Sequence, residues 1–189
     1  MKVTKEQIKS LGPCSSGWNK YCEKERTEDL EQLLLEANED NPANARWLFT
    51  KLMTKNQCIE IAIYSAREVL DIFEKKYPKD ERPRKAIEAA EKYLTNPTKE
   101  NRADAAYAAY AAYDADAAYA AYAAYAADAA YASYAAAYAA GSYAADAAGS
   151  YADDAAAYAA DAAYAARKEV QVKIILEAVR VLDRGENNE

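Results

Sequence analysis

Histidine is absent from this chain of 189 residues. That removes the commonest general base and the commonest transition-metal ligand. Cysteine is scarce. Cys14, Cys22 and Cys58 are an odd set that closes no disulfide framework and fits a reducing compartment. Cys14 and Cys22 lack the close spacing and further ligands of a zinc site, so they read as small, partly buried apolar residues. Lys and Arg are missing from 103–166, and proline is missing from Thr98 onward. Threonine is also missing from 103–166, which argues against an ice-binding helix. Within that tract the longest Asp-free stretch, 129–145, falls short of the ~20 apolar residues that a membrane span needs. The first residues, Met1-Lys2-Val3-Thr4-Lys5-Glu6, have no signal-peptide apolar core. The expectation is a cytoplasmic protein with no membrane partner.

What fills 103–166 is alanine, tyrosine and aspartate. A Tyr or Asp recurs at every third residue from Asp104 through Tyr134. The larger unit is Asp104 with Tyr107, Tyr110 and Tyr113, then Asp116 with Tyr119, Tyr122 and Tyr125, then Asp128 with Tyr131 and Tyr134. The tract holds 13 of the 17 tyrosines, so any tyrosine-based surface must be built from it. Three residues advance a helix by about 300°, so successive Tyr positions drift by about 60°. One unbroken helix would therefore show tyrosine on every face, and from Thr98 it would be about 129 Å long. The reading is that the tract folds back into antiparallel helices. Asp114-Ala115-Asp116, Gly141-Ser142 and Gly149-Ser150 supply the turns and caps.

The net charge of −7 is uneven. The tract carries −8, and the remainder, with 24 basic and 23 acidic side chains, carries +1. No basic footprint for direct nucleic-acid binding is present. An acidic face fits a basic protein partner instead. The Asp spacing matches no calcium loop.

The flanks read as capped helices. Thr4 with Gln7 forms a capping box for a helix ending near Leu11, stopped by Gly12-Pro13. Thr27 followed by Glu28-Asp29 starts a second helix through Leu30, Leu33 and Leu34. Asn41-Pro42 starts a third, with Trp47, Leu48 and Leu52 on one side. After Thr54, Ile59, Ala62, Ile63, Ala66, Val69, Leu70 and Phe73 form an apolar stripe, ended by Pro78. Pro83 opens the next helix at its first position, Asn96-Pro97 ends it, and Thr98 caps the alanine-rich tract. Ile175, Ala178, Val179 and Leu182 form a last stripe, with Gly185 as a C′ residue. The fold class is all-α: a helical bundle of short N-terminal helices continued by the Ala/Tyr/Asp-rich antiparallel helices. The divisions are 1–102, 103–166 and 167–189, in one compact domain.

Candidate sites come from the same residues. Arg82-Pro83-Arg84-Lys85, with Arg67 and Arg102, is the main basic cluster, and a helix start there could hold a phosphate or carboxylate. Pairing with Asp80 and Glu81 is the plainer role. Cys14-Ser15-Ser16-Gly17-Trp18 reads as a small-residue turn anchored by Trp18. Tyr107, Tyr119 and Tyr131 represent a tyrosine face that either packs the alanine helices or binds a partner. No catalytic, metal or cofactor residues emerge.

Residues 58–102 carry a resemblance. They include Cys58-Ile59-Glu60-Ile61-Ala62-Ile63-Tyr64-Ser65-Ala66-Arg67, Arg82-Pro83-Arg84-Lys85-Ala86-Ile87 and Asn101-Arg102-Ala103. This stretch, with Leu11-Gly12-Pro13-Cys14 and Trp18, resembles the Imm-5-like type of immunity proteins of bacterial polymorphic-toxin loci and phage genomes. The resemblance implies an all-α intracellular protein that neutralises something. The Tyr/Asp repeat departs from the more varied Ala/Arg tract of that family. The functional expectation is a non-enzymatic immunity-type or phage-encoded inhibitor that binds a toxin or defence component stoichiometrically. The alternative is a sponge for a nucleotide-like signal, with Arg67, Arg82 and Arg84 on phosphate and Trp or Tyr on the base. Self-association into a homo-oligomer stays open.

Overall fold

Side-chain caps start four of the described helices where the sequence puts them. The computed structural model describes residues 1–119 and 170–186. Among these residues the fold is all-α, with no strand. Helix α1 (Lys5–Ser10) opens with a complete capping box: Gln7 N–H donates to Thr4 Oγ1 at 3.2 Å and Thr4 N–H to Gln7 Oε1 at 2.8 Å. Gly12 follows at φ 73°, a left-handed position that suits glycine. Helices α4 (Pro42–Leu52) and α5 (Lys55–Lys76) start at Asn41 and Thr54 as expected. In α7 (Lys99–Tyr119), Asn101 N–H donates to Thr98 Oγ1 at 3.1 Å.

Five expectations are corrected. The stretch at 14–18 is not a turn but the start of helix α2 (Ser15–Cys22), where Cys14 Sγ accepts from Gly17 N–H at 3.4 Å. Helix α3 (Leu30–Asp40) is capped by Asp29 and not by Thr27. An antiparallel bridge between Lys2 and Asp29 keeps the chain extended there, with Val3 N–H on Glu28 O at 2.8 Å and Leu30 N–H on Met1 O at 3.1 Å. Helix α6 (Arg82–Thr95) begins one residue before Pro83, which is thus second in the helix. Helix α7 runs straight through Asp114-Ala115-Asp116. Alanine propensity on both sides outweighs the capping tendency of aspartate, and no Pro or Gly interrupts it. Gly185 lies inside α8 (Val170–Glu186) and is not left-handed. The two Gly-Ser pairs and the back-folding of the tract lie outside the described residues.

The helices stack in a definite order. Helix α7 packs on α6, α6 on α5, α5 on α8, and α8 on α3 and α4, which form a hairpin joined at Asn41. Helix α5 is the central element. It buries the whole expected stripe, together with Cys58, Ile61 and Ser65. An amphipathic surface helix would bury one face only, whereas α5 is covered by α6 and by α8. Ser65 is satisfied within the helix, its hydroxyl donating to Ile61 O at 2.8 Å. Among the described residues no helix is long and apolar enough to cross a membrane.

Helix α8 closes the core. Val170, Ile174, Ile175, Ala178, Val179, Val181 and Leu182 are buried. The amide of Gln57 fastens it. Its Oε1 completes the α5 capping box at 2.8 Å from Thr54 N, and its Nε2 donates to Val181 O at 2.9 Å. Gly185 makes room for that amide, since a Cβ there would lie 2.7 Å from Gln57 Nε2. Helix propensity alone would favour Gly185→Ala by about 1 kcal/mol. We expect the opposite sign: a net loss of roughly 1 kcal/mol in urea unfolding, as the amide leaves Val181 O. In a Gln57→Ala background the same change should become neutral or stabilising. Additive effects would show that the amide does not set the need for glycine.

Candidate functional site

The N-terminal helices enclose a cavity of about 280 Å3. Its long walls are the α3–α4 hairpin, which contributes Leu33 and Ala37 from α3 and Trp47 and Leu48 from α4. Helix α2 supplies a third wall. Trp18 and Tyr21, three residues apart on one helix face, stack with ring centroids 5.6 Å apart and planes 14° from parallel. The chain contains only two tryptophans, and both line this cavity. The lining is predominantly apolar with a few polar groups, as expected of a small-molecule site.

Arg26 is the chief polar group. It comes from the segment between α2 and α3, and its side chain is only 4 % exposed. One terminal nitrogen, Nη2, bonds Asp40, and Nη1 reaches Glu36 Oε2 at 3.4 Å. Lys24 Nζ also reaches Asp40 Oδ1, at 3.3 Å. The Arg26 guanidinium lies 6.0 Å from the centre of the Tyr21 ring. Its Nε–H is buried and has no hydrogen-bond partner among the described residues. Such a donor costs stability until an acceptor meets it.

Ionisation is set by these neighbours. Hydrogen bonding to Arg26 holds the Asp40 carboxyl below the usual carboxylate range. Burial pushes the Tyr21 phenol up. Cys14 stands at the cavity edge, exposed. The Ser16 hydroxyl and then the Gly17 N–H lower its thiol below the ordinary value. Lys5 and Lys9 bring their ammonium groups to 5.7 and 6.0 Å from the centre of the Trp18 ring.

Of the expected site residues, only Trp18 lines the cavity. Arg67 pairs with Glu91 across α5 and α6, Nε to Oε1 at 2.6 Å. Arg82 folds back onto Asp80, Nε to Oδ1 at 2.9 Å. Arg84 makes a two-pronged bond to Glu74 at 2.7 and 2.6 Å, which raises its pKa. These three arginines thus sit in separate ion pairs and do not converge. Arg102 is half-buried in the first turn of α7. Tyr107 is 77 % exposed. Tyr119 closes α7, its side chain, like Tyr131, lying outside the described residues. Sequence reasoning does not mark Arg26, Tyr21, Trp47 or Asp40. The tryptophan count is the available signal, because two such residues in 189 are worth placing together. No protein-family model, curated protein or solved structure matches the chain significantly.

The Arg26–Asp40 pair is testable by pH. The depressed Asp40 carboxyl contributes stability that is present above the unfolded value of about 3.9 and is lost as pH falls through the lower folded value. Asp40→Asn should cost about 2 kcal/mol at neutral pH. That deficit should shrink below about pH 4, as the parent protein's own carboxylate protonates. A deficit independent of pH would assign the loss to packing.

Proposed function

We propose that the chain is a non-enzymatic, cytoplasmic binding protein of the immunity or inhibitor type, which neutralises a toxin or defence component by stoichiometric association. Tyr107 is the observation that carries the reading. Helix α7 buries Ala105 and Ala109, while Tyr107 between them is 77 % exposed. A helix turns about 100° per residue, so the two alanines share a face and Tyr107 points away from it. Alanine serves the packing and tyrosine is left for a partner. Tyrosine offers a large, stiff contact area at low entropy cost. The eight Asp of 103–166 would favour a basic partner and speed its capture.

A second reading, sequestration of a nucleotide-like small molecule, draws support from the aromatic cavity. It needs a different site from the one the sequence favoured. Arg67, Arg82 and Arg84 are engaged by Glu91, Asp80 and Glu74, whereas Trp18 stands in a cavity with a second tryptophan.

Capture of partners from cells by the tagged full chain, followed by native mass spectrometry, tests the first reading. A one-to-one protein complex is expected. Tyr107→Ala should change stability by no more than about 0.5 kcal/mol. It should weaken the complex tenfold or more and reduce neutralisation in parallel. Undiminished binding and neutralisation by the variant would remove Tyr107 from the contact surface.

A further inference from the structure

We propose that the cavity between α2, α3 and α4 binds a flat heteroaromatic ring system of one or two rings, stacked on the tryptophans, with an acceptor on its edge directed to Arg26. The inference rests on the sequestering reading and gives it a site and a ligand class. Three observations carry it. Both tryptophans of the chain line the same cavity, and Trp18 is backed by Tyr21 in a near-parallel stack. Rings of this kind hold flat ligands by stacking, whatever substituents the ligand carries. Next, a volume of about 280 Å3 lies just under the roughly 300–1,000 Å3 of drug-sized sites, which is ample for one fused bicycle.

The third observation is chemical. Arg26 lines the cavity, is almost wholly buried, and carries an Nε–H with no acceptor among the described residues. Its charge is already balanced by Asp40 and Glu36. The Nε–H donor is shielded from solvent, so a small shift of the side chain must present it to a ligand, and the acceptor it then meets is neutral, a carbonyl or ring nitrogen, and not a second carboxylate. An aliphatic or phenyl side chain of a protein partner would leave that donor unmet. Any phosphate attached to the ring belongs outside, near Lys5, Lys9 and Lys20. A free base and a nucleotide share the ring chemistry, and the experiment separates them.

Tryptophan fluorescence of the full chain reports the cavity directly, because the protein has no other tryptophan. Cys14 gives a second readout, with exposed Cys22 as internal reference, since Cys14 lines the cavity and Cys22 does not. Hypoxanthine, inosine 5′-monophosphate and cyclohexanecarboxamide, which has an acceptor but is not flat, serve as probes. Hypoxanthine should quench the fluorescence and slow Cys14 alkylation at least fivefold, leaving Cys22 unchanged. Tenfold tighter binding of the monophosphate would place its phosphate on the lysine rim, and equal affinity would confine recognition to the ring. Trp18→Leu should weaken binding about tenfold through lost stacking. Arg26→Lys, which keeps the charge and loses Nε, should do the same. If Arg26→Lys fails to fold, Trp18→Phe, which keeps an aromatic anchor for α2 and offers a smaller stacking face, should weaken the purines several-fold with an unchanged melting temperature, and unchanged affinity would remove Trp18 from the stack. The proposal falls if neither purine is felt by fluorescence or Cys14, if cyclohexanecarboxamide binds equally well, or if only a protein partner shields Cys14. The sequestering reading fails separately if the purified chain binds the ring but brings no ring compound out of cells.

Discussion

Burial of one face of α8 is the interaction on which the rest of the fold depends. That face touches α3, α4 and α5, so it joins the N-terminal hairpin to the central helix. Ile59 of α5 and Leu33 of α3 thereby belong to one core cluster. Fully burying one Val, Leu or Ile side chain contributes about 1.5–3 kcal/mol, and α8 buries six of them. The ion pairs Lys173–Glu68 and Arg184–Glu60 align α8 on α5, but both are surface pairs and each is worth at most about 1 kcal/mol.

The cavity inherits its rigidity unequally from this arrangement. The α3–α4 hairpin is seated on α8, with Leu30, Leu33, Leu34, Leu48 and Phe49 all buried. Trp47 and Asp40 are therefore held by a firm platform. Helix α2 has eight residues and none fully buried, so its attachment rests on Trp18, Tyr21 and the Arg26 network. Regions with so few buried contacts are the first to open locally. The wall carrying Trp18 is thus the one whose position a bound ring would fix, and the hairpin is the fixed reference.

The features legible in the sequence are those decided locally. The stripe from Ile59 to Phe73 has helical period and strong burial, so it dictates α5. Thr4, Thr54, Asn41 and Thr98 each place one oxygen near an unpaired N–H, and nothing distant competes. The features that escape it are decided at a distance. Whether Thr27 or Asp29 caps α3 depends on the bridge to Lys2. Gly185 is explained by Gln57, which lies across the α5–α8 contact. Cys14 gives little signal, because cysteine is seldom a cap and a run of Ser, Ser and Gly has low helix propensity. Arg26 gives none, because its burial is set by Glu36 and Asp40, ten and fourteen residues onward.

The same contrast bears on how alanine and tyrosine divide the work in α7. A helix presents residues four apart to one neighbour, and Ala105 and Ala109 meet that spacing. The tyrosine period is three, so each step rotates away from any fixed contact by about 60°. A neighbour that accepts α7 through alanine cannot also accept every tyrosine of the series. Packing selects the small residue because two helix backbones can then approach closely, and α6, on which α7 packs, also buries alanines, Ala86 and Ala90. The large residue is displaced to solvent at Tyr107, whose ring keeps its apolar area uncovered among the described residues. Exposed aromatic area of that kind is what binding surfaces are made of. A period that mismatches the helix thus guarantees, wherever α7 is packed on one side, that some ring faces outward.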